Sequence, residues 1–407
     1  MRIAFDGTTL TQGRTGVGYY TEHLLQHLAR EVETSGDELI VVSNQPIDTA
    51  HPLPRHVRVY DKKRFPLRVA WMQMLAGRVL DDVRADVAHF TNGMLPLGTS
   101  AARVVTIHDV SLKLYPQCHP VRRRVINRPL VAIAAKVADA VVAVSHSARH
   151  DLLKFHHIPD DRVSVVHEAA GPEFRRIDDE RLRARIRMRY CLPGKFVLYV
   201  GAIEPRKNLP RLMEAFAEAR RQGVTHELVC VGPYGWSSRD LYQRVDQLGL
   251  RSVVHFTGYV PVEDLPVIYS LAEMFVFPSI YEGFGLPVVE AMACGTPVIT
   301  ANTSSLGEIA DGVADTVDPH DVPALTAAIV RLALDADRRA ELSRLGLARA
   351  QEFSWARTAK EMLALYNRVA FGPVRVPMRV VHSPAPQADG AALTPPAAPT
   401  RPTGVAS

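Results

Sequence analysis

The sequence predicts an α/β protein of two doubly wound parallel domains facing one another across a cleft. Short, continuously apolar, β-branched runs alternate with helical patterns along most of the chain, and strands of that kind belong in a parallel sheet covered on both faces. The series also restarts once, with a first set of strands ending near residue 168 and a second beginning at residue 196. At 407 residues the chain is long for one domain and comfortable for two, and its 47% of hydrophobic residues can fill two cores.

In the first series, strands are expected at RIAFD (2–6), LIVVS (39–43), VAHF (87–90), RVVTIHD (103–109), AVVAVS (140–145) and VSVVHE (163–168). A helix is expected at 18–31, where the apolar residues share one face. The stretch HEAAGPEFRRIDDE (167–180) breaks at Gly171-Pro172 and turns charged, so it reads as the boundary between domains 1–170 and 171–355. The second series runs FVLYVG (196–201), a helix at 208–222, ELVCVG (227–232), a helix at 239–248, VVHFTG (253–258), MFVFPS (274–279), a helix at 287–294 and PVIT (297–300). Residues 356–371 are expected to form a last helix crossing back to the first domain. From 372 to 407 the chain is rich in Pro, Ala and Gly and reads as a disordered tail.

Composition removes several function classes. The formal charge is 48 − 43 = +5, mild enough to suit an anionic small molecule or an anionic membrane surface. With no aromatic-basic module, nucleic acid is not an expected partner. Cys118, Cys191, Cys230 and Cys294 are scattered, with no CxxC pair and no histidine at metal-ligand spacing, so neither disulfides nor a metal site are expected. The opening MRIAFDGTTL enters a strand-like run directly. The longest apolar stretch, 130–144, is short for a bilayer span and is interrupted by Lys136 and Asp139. A cytoplasmic protein is the expectation.

Four stretches carry chemistry. In FPSIYEGFGLPVVEAMACGTPVI (277–299), a buried strand leads through a Gly-Phe-Gly turn into a helix opened by Pro287. Gly285 offers no side-chain cap, so backbone N–H groups there are free for an anion such as phosphate. Glu282 and Glu290 flank that site. Carboxylates repel phosphate, so their expected task is to accept hydrogen bonds from hydroxyls. A solvated loop residue and a helix-end carboxylate would be the bland alternative, which the matched turn and helix start disfavour. In YVGAIEPRKNLPRL (199–212), Arg206 and Lys207 follow a strand and are placed to neutralise a diphosphate. In QGRTGVGYYTEHL (12–24), Gly16 and Gly18 allow close backbone approach, although Thr21 stands where a dinucleotide fingerprint needs its third glycine. In VVTIHDVS (104–111), His108 follows a strand and is expected either in the cleft or as a core histidine bonded to Asp109 or to backbone.

Together these stretches resemble glycosyltransferase family 4, retaining enzymes with the two-Rossmann GT-B fold, over roughly residues 1–370. EGFGLPVVEAMACGTPVI is similar to the family's E-x7-E signature, and EPRKN and TIHD are also family-like. The resemblance implies a nucleotide-diphosphate sugar donor on the second domain, an acceptor on the first, and no metal or other cofactor. By position, Glu282 would hold hydroxyls of the donor sugar and Glu290 would accept from the ribose. Backbone N–H groups of Gly283, Phe284, Gly285 and Leu286 would meet the sugar and diphosphate. Arg206 and Lys207 would stabilise the departing diphosphate, Gly16 and Gly18 would close over the donor, and His108 would contact the transferred sugar. Many members carry Arg after the glycine that ends the strand; here Gly201 is followed by Ala202, leaving more of the phosphate work to Arg206 and Lys207.

The overall pattern also resembles bacterial mannosyltransferases of polysaccharide assembly. That implies GDP-mannose as donor, with a UDP-sugar or another GDP-sugar as runner-up, and a glycan or lipid-linked glycan as acceptor. DKKRFPLRVAWMQM (61–74) and HPVRRRVINRPLV (119–131) mix cations with apolar or aromatic residues. They fit peripheral contact with the inner membrane leaflet, and equally an ordinary amphipathic helix with a solvated basic face. A nicotinamide-dependent oxidoreductase is disfavoured by the broken glycine fingerprint. A catalytically inactive sugar-nucleotide-binding protein would be expected to lose some of these polar groups.

Overall fold

The computed structural model describes residues 1–10, 16–50, 52–61, 65–233 and 238–372. They build two parallel sheets. The first contains β1 (Arg2–Asp6), β2 (Glu38–Val42), β3 (Arg58–Tyr60), β4 (Val87–Phe90), β5 (Ala102–Ile107), β6 (Ala140–Ala143) and β7 (Val163–Val165), in the order β3-β2-β1-β4-β5-β6-β7. The second contains β8 (Phe196–Val200), β9 (Glu227–Val231), β10 (Val254–Gly258), β11 (Met274–Phe277), β12 (Val298–Ala301) and β13 (Asp315–Val317), in the order β10-β9-β8-β11-β12-β13. Every residue of β4, β6, β8, β11 and β12 is buried, which is why these runs are mostly apolar, His89 and Thr300 excepted, rather than alternating.

Both sheets reverse direction at one point. After β1 the chain lays β2 and β3 to one side and returns to place β4 on the other; β8 and β11 repeat the arrangement. The crevice outside the carboxyl ends of two such neighbours is where this architecture binds ligands.

The expected strands are found, with shifted ends. The strand expected at 140–145 stops at Ala143, because Ser145 turns to cap the helix His146–His156, accepting from the Ala148 N–H at 2.9 Å. The strand expected at 163–168 stops at Val165, and Glu168 leaves to meet His108. The helix expected at 18–31 runs Gly16–Ser35. The short strands β3 and β13 were not expected. Three residues carry too little pattern to read, and β3 is an edge strand with Arg58 and Val59 exposed.

The last helix, Trp355–Phe371, lies against the first sheet and the helix Gly16–Ser35. Ala359, Met362 and Tyr366 share an apolar core with Tyr20, Leu24 and Leu28. The Tyr366 hydroxyl hydrogen-bonds Nδ1 of His89 at 2.7 Å, and Nε2 of His89 bonds the Thr106 hydroxyl at 2.8 Å. Burial holds the His89 pKa down at about 3, so the ring is neutral. Among the described residues, no helix is long and apolar enough to cross a membrane. The expected tail lies outside the described residues beyond Gly372.

Candidate functional site

The second sheet's switch point brings together three of the expected site residues. Arg206 and Lys207 sit in the 3-10 turn Pro205–Lys207 after β8, and Glu282 sits in the loop after β11. One Glu282 oxygen receives Arg206 Nη1 at 2.7 Å, and the other receives Lys207 Nζ at 2.7 Å and the Ser279 hydroxyl at 2.6 Å. Burial pushes the Glu282 carboxyl up, but the two cations and these hydrogen bonds prevail and hold it at about 2. Burial likewise lowers Lys207, opposed by Glu282, and its ammonium lies 4.9 Å from the centre of the Phe277 ring. Arg206 also donates to the Tyr281 carbonyl, and Glu282 helps keep it fully charged against burial. Its Nε is sealed from solvent without a partner.

Asn208 makes this turn possible. It adopts the left-handed region at φ 63°, and its side-chain amide donates to the carbonyls of Pro278 at 3.0 Å and Pro319 at 2.6 Å. The turn is thereby tied to the loop after β11.

Beside these charges begins the helix Leu286–Ala293, with no side-chain cap and with Pro287 in its first turn. Gly285 has φ 117°, and a Cβ there would lie 2.7 Å from Leu306 Cδ2, so only glycine fits. The loop puts Gly283, Gly285 and Leu286 at the helix mouth, where backbone N–H groups and the helix dipole favour an anion. The Phe284 ring is buried edge-on against Phe353, leaving its backbone as the part a ligand could meet. One turn in, Glu290 accepts from the Tyr269 hydroxyl at 3.0 Å. Burial pushes its carboxyl up to about 7 in spite of that bond, with Glu173 adding to the rise. It is the least compensated acid of the group.

His108 follows β5 on the facing edge. Its Nδ1 bonds Glu168 at 2.8 Å and its Nε2 bonds the Thr91 carbonyl at 2.9 Å. Both partners are acceptors, so both ring nitrogens carry protons. Burial opposes that charge, but Glu168 and the carbonyl raise the pKa above the ordinary histidine value. The ring packs edge-on to Tyr20 at 4.7 Å between centroids. Its backbone carbonyl abuts the loop after β11, since a Cβ on Gly283 would lie 1.7 Å from His108 O. Gly16 and Gly18 are found in the first turn of a helix rather than in a loop; Gly16 is exposed and Gly18 buried. Residues 12–15 of that glycine stretch lie outside the described residues.

The two edges are clasped beside the site. Ser145 donates to the Gly283 carbonyl at 2.7 Å, and the Tyr281 hydroxyl donates to Asp151 at 2.8 Å. Glu308 accepts from the His146 and Ser147 N–H groups and from His167. His146, His167 and Glu308 offer ligand atoms within 4.8 Å of one another, the one grouping among the described residues with metal-ligand geometry.

Sequence reasoning missed the residues that hold the expected ones. Ser279 and Ser304 bracket Glu282, the latter accepting its N–H at 3.1 Å. Tyr269 and Glu168 partner Glu290 and His108. Glu168 was read as the last residue of the strand expected at 163–168 and lies three residues past the observed strand, so its position at a strand's carboxyl end was the available signal.

Two parallel sheets, each with a crevice at its switch point, define a protein of two nucleotide-binding-type folds, with a cation pair and an uncapped helix end at the second crevice. Residues 14–173 match the family described as Glycosyltransferase Family 4, and residues 192–348 match Glycosyl transferases group 1. The chain is 31% identical to O-antigen chain mannosyltransferase B of Escherichia coli over 386 residues, covering 90% of this chain and 100% of that protein. It belongs to glycosyltransferase family 4, whose members are retaining. Among solved structures, sucrose-phosphate synthase from Thermosynechococcus elongatus has a TM-score of 0.72 at 23% identity, covering 91% of this chain and 99% of that one. HepE from Anabaena in complex with UDP and glucose has a TM-score of 0.69 at 19% identity, covering 90% of this chain and 99% of that one. These two likenesses establish the GT-B fold.

Proposed function

We propose that the chain is a retaining mannosyltransferase that moves mannose from GDP-mannose to a hydroxyl of a glycan or lipid-linked glycan. The observation that carries the reading is the Arg206–Lys207–Glu282 cluster beside the uncapped helix at Leu286. Glu282 compensates both cations; a diphosphate would take over that compensation and free the carboxylate for sugar hydroxyls. Arg206, Lys207 and the helix dipole would then stabilise charge on the leaving group without a metal ion. Glu290 would accept from the ribose, and His108 would lie beside the transferred sugar. Mannose is supported by the full-length similarity to an O-antigen mannosyltransferase.

The transfer we propose is front-face. The bond from C1 to the diphosphate oxygen breaks, a bond from C1 to the acceptor oxygen forms on the same face, and the acceptor proton passes to the departing phosphate. Proton NMR of the product's anomeric centre checks it; an inverted product overturns it.

The donor is tested by thermal unfolding with GDP, UDP, ADP and their sugar conjugates, repeated on Glu290→Ala. A nucleotide binding only the folded state adds about 2.7 kcal/mol at a hundredfold excess over Kd. Selective stabilisation by GDP and GDP-mannose, weakened in the variant, supports the donor and its site. Stabilisation by UDP compounds keeps the enzyme and replaces mannose, a second reading favoured by the UDP and glucose bound in HepE. No response to any nucleotide favours an inactive scaffold.

Membrane contact is part of the proposal. The helix Val121–Val137 exposes Val121, Val125, Ile126 and Ile133, and the helix Arg68–Met74 exposes Met74 with Phe65 and Leu67 before it. Arg122, Arg123, Arg124 and Arg128 accompany them, a composition suited to an anionic interface. Co-sedimentation with anionic liposomes at low salt is expected. Full recovery in the supernatant would remove this part.

A further inference from the structure

The two halves of the protein also meet at a cluster that the proposed reaction does not use. His146 opens the helix His146–His156 after β6, and His167 lies two residues past β7, so both belong to the first sheet. Glu308 comes from the other half, in the helix Ser304–Ala310 after β12. His167 Nε2 and Glu308 Oε1 stand 3.2 Å apart, and ligand atoms of all three residues lie within 4.8 Å of one another. The carboxylate is fixed at the helix end, where Oε1 accepts the His146 N–H at 3.2 Å and Oε2 the Ser147 N–H at 3.0 Å. Burial pushes the Glu308 carboxyl up, but His167 and these N–H groups hold it below the ordinary glutamate value. The His167 ring packs against Phe284 and Phe353, and its carbonyl accepts from the Thr358 hydroxyl at 2.8 Å. Two of the three groups are thus held by their surroundings, and the third, His146, is exposed and can turn.

Two imidazoles and one carboxylate are a donor set for zinc, whereas magnesium and calcium take oxygen ligands. Ligands about 2.0–2.2 Å from a tetrahedral ion stand about 3.3–3.6 Å apart. His167 and Glu308 already meet that spacing to within a few tenths of an ångström, so only His146 has to close on them. We propose that His146, His167 and Glu308 form a three-ligand site for zinc or a similar divalent transition cation, and that the bound ion clamps the two halves together. The ion would replace the hydrogen bond between His167 and Glu308, with water as fourth ligand on the exposed side. Oε2 would keep the Ser147 N–H, an outer contact that orients the ligating carboxylate. Arg349 is a neighbouring cation, but its guanidinium is turned to the backbone carbonyls of Glu308 and Ile309. The three ligands are far apart in the sequence, which is why no metal-ligand spacing is legible there. None of them is assigned to the donor or to the transfer step, so the inference does not depend on the glycosyltransferase reading.

The test uses the full chain without a polyhistidine tag, in thermal unfolding with zinc chloride and, separately, magnesium chloride. Cobalt(II) serves as a spectroscopic stand-in, since its visible bands intensify in a four-coordinate site. The chain has 16 histidines, so the variants His146→Ala, His167→Ala and Glu308→Gln decide where the ion sits. His146→Ala keeps the bond between His167 and Glu308 and should fold as wild type does. Zinc is expected to raise the Tm of wild type and magnesium to leave it unchanged. Each variant should weaken zinc about tenfold or more and lose the cobalt bands. Hydrogen exchange with zinc should slow in both the His146–His156 and the Ser304–Ala310 helices, and in neither for His146→Ala. No stabilisation by zinc, equal stabilisation by magnesium, or zinc binding untouched by the variants overturns the site. Zinc binding that survives in Glu308→Gln, or exchange that slows in one helix alone, overturns the clamp.

Discussion

The two switch points are built on the same topology and differ in how far their buried polar groups are paired, although Arg206 Nε at the second is also without a partner. At β8/β11 the charges compensate one another: Arg206 and Lys207 share Glu282, and Ser279 completes its shell. At β1/β4 the buried polar atoms of Asp6, Thr8 and Arg68 are left with unused capacity.

The comparison breaks most completely at Glu282. Glu282→Gln removes the anion that two buried cations share, and losing one partner of a buried ion pair costs about 3–5 kcal/mol. Transfer should fall at least about a hundredfold, in line with the loss of a preorganised electrostatic group. Urea unfolding and a radiolabelled-donor assay measure the two effects. Wild-type stability in the variant would show that the cations do not depend on Glu282. Linkage adds a sign: the carboxyl pKa is depressed to about 2, so its stabilisation is present above the ordinary glutamate value and is lost as pH falls toward about 2.

Gly283 joins the two edges, and the second prediction lies there. A methyl group on Gly283 would collide with the His108 carbonyl, a backbone atom that cannot rotate away. Gly283→Ala should cost about 1–3 kcal/mol by overpacking. It should also reduce transfer more than it reduces nucleotide binding, because the edges separate while the Arg206–Glu282 cluster stays intact. Comparing kcat with nucleotide Kd separates those outcomes; equal losses would locate the damage within the donor site.

How far the sequence reveals this site follows from its physics. Glu282, Arg206 and Lys207 were readable because strand ends in a parallel sheet fix where the following residues go. The partners Ser279 and Ser304 of Glu282, and Tyr269 of Glu290, were not, since a hydroxyl's role depends on tertiary neighbours that spacing does not encode. Gly16 and Gly18 read as loop glycines because glycine weakens a helix pattern, yet the helix at Gly16–Ser35 starts with them, held by Tyr20, Leu24 and Leu28 packed on the last helix. Asp6 reads as the end of a strand, and nothing in RIAFD signals that one of its oxygens is left without a partner.

The smallest expected effect is at Glu290, the exception to compensation on the second edge. Its pKa stands at about 7 against an ordinary value of 4.5, so the folded protein binds this proton more tightly than the unfolded chain does. The resulting stability is present below about 4.5 and is lost as pH rises through about 7. Glu290→Gln is permanently neutral. It should match wild type near pH 5 and exceed it at pH 8 by about 1–2 kcal/mol, a figure reduced for the partial exposure of the group. Urea unfolding at the two pH values measures the difference. A ribose hydroxyl donating to Glu290 would favour the carboxylate, so nucleotide binding should release a proton and tighten from pH 6 to pH 8 in wild type, but not in the variant. If both proteins bind nucleotide with the same pH dependence, Glu290 does not meet the ribose, and its raised pKa reflects burial and Glu173 alone.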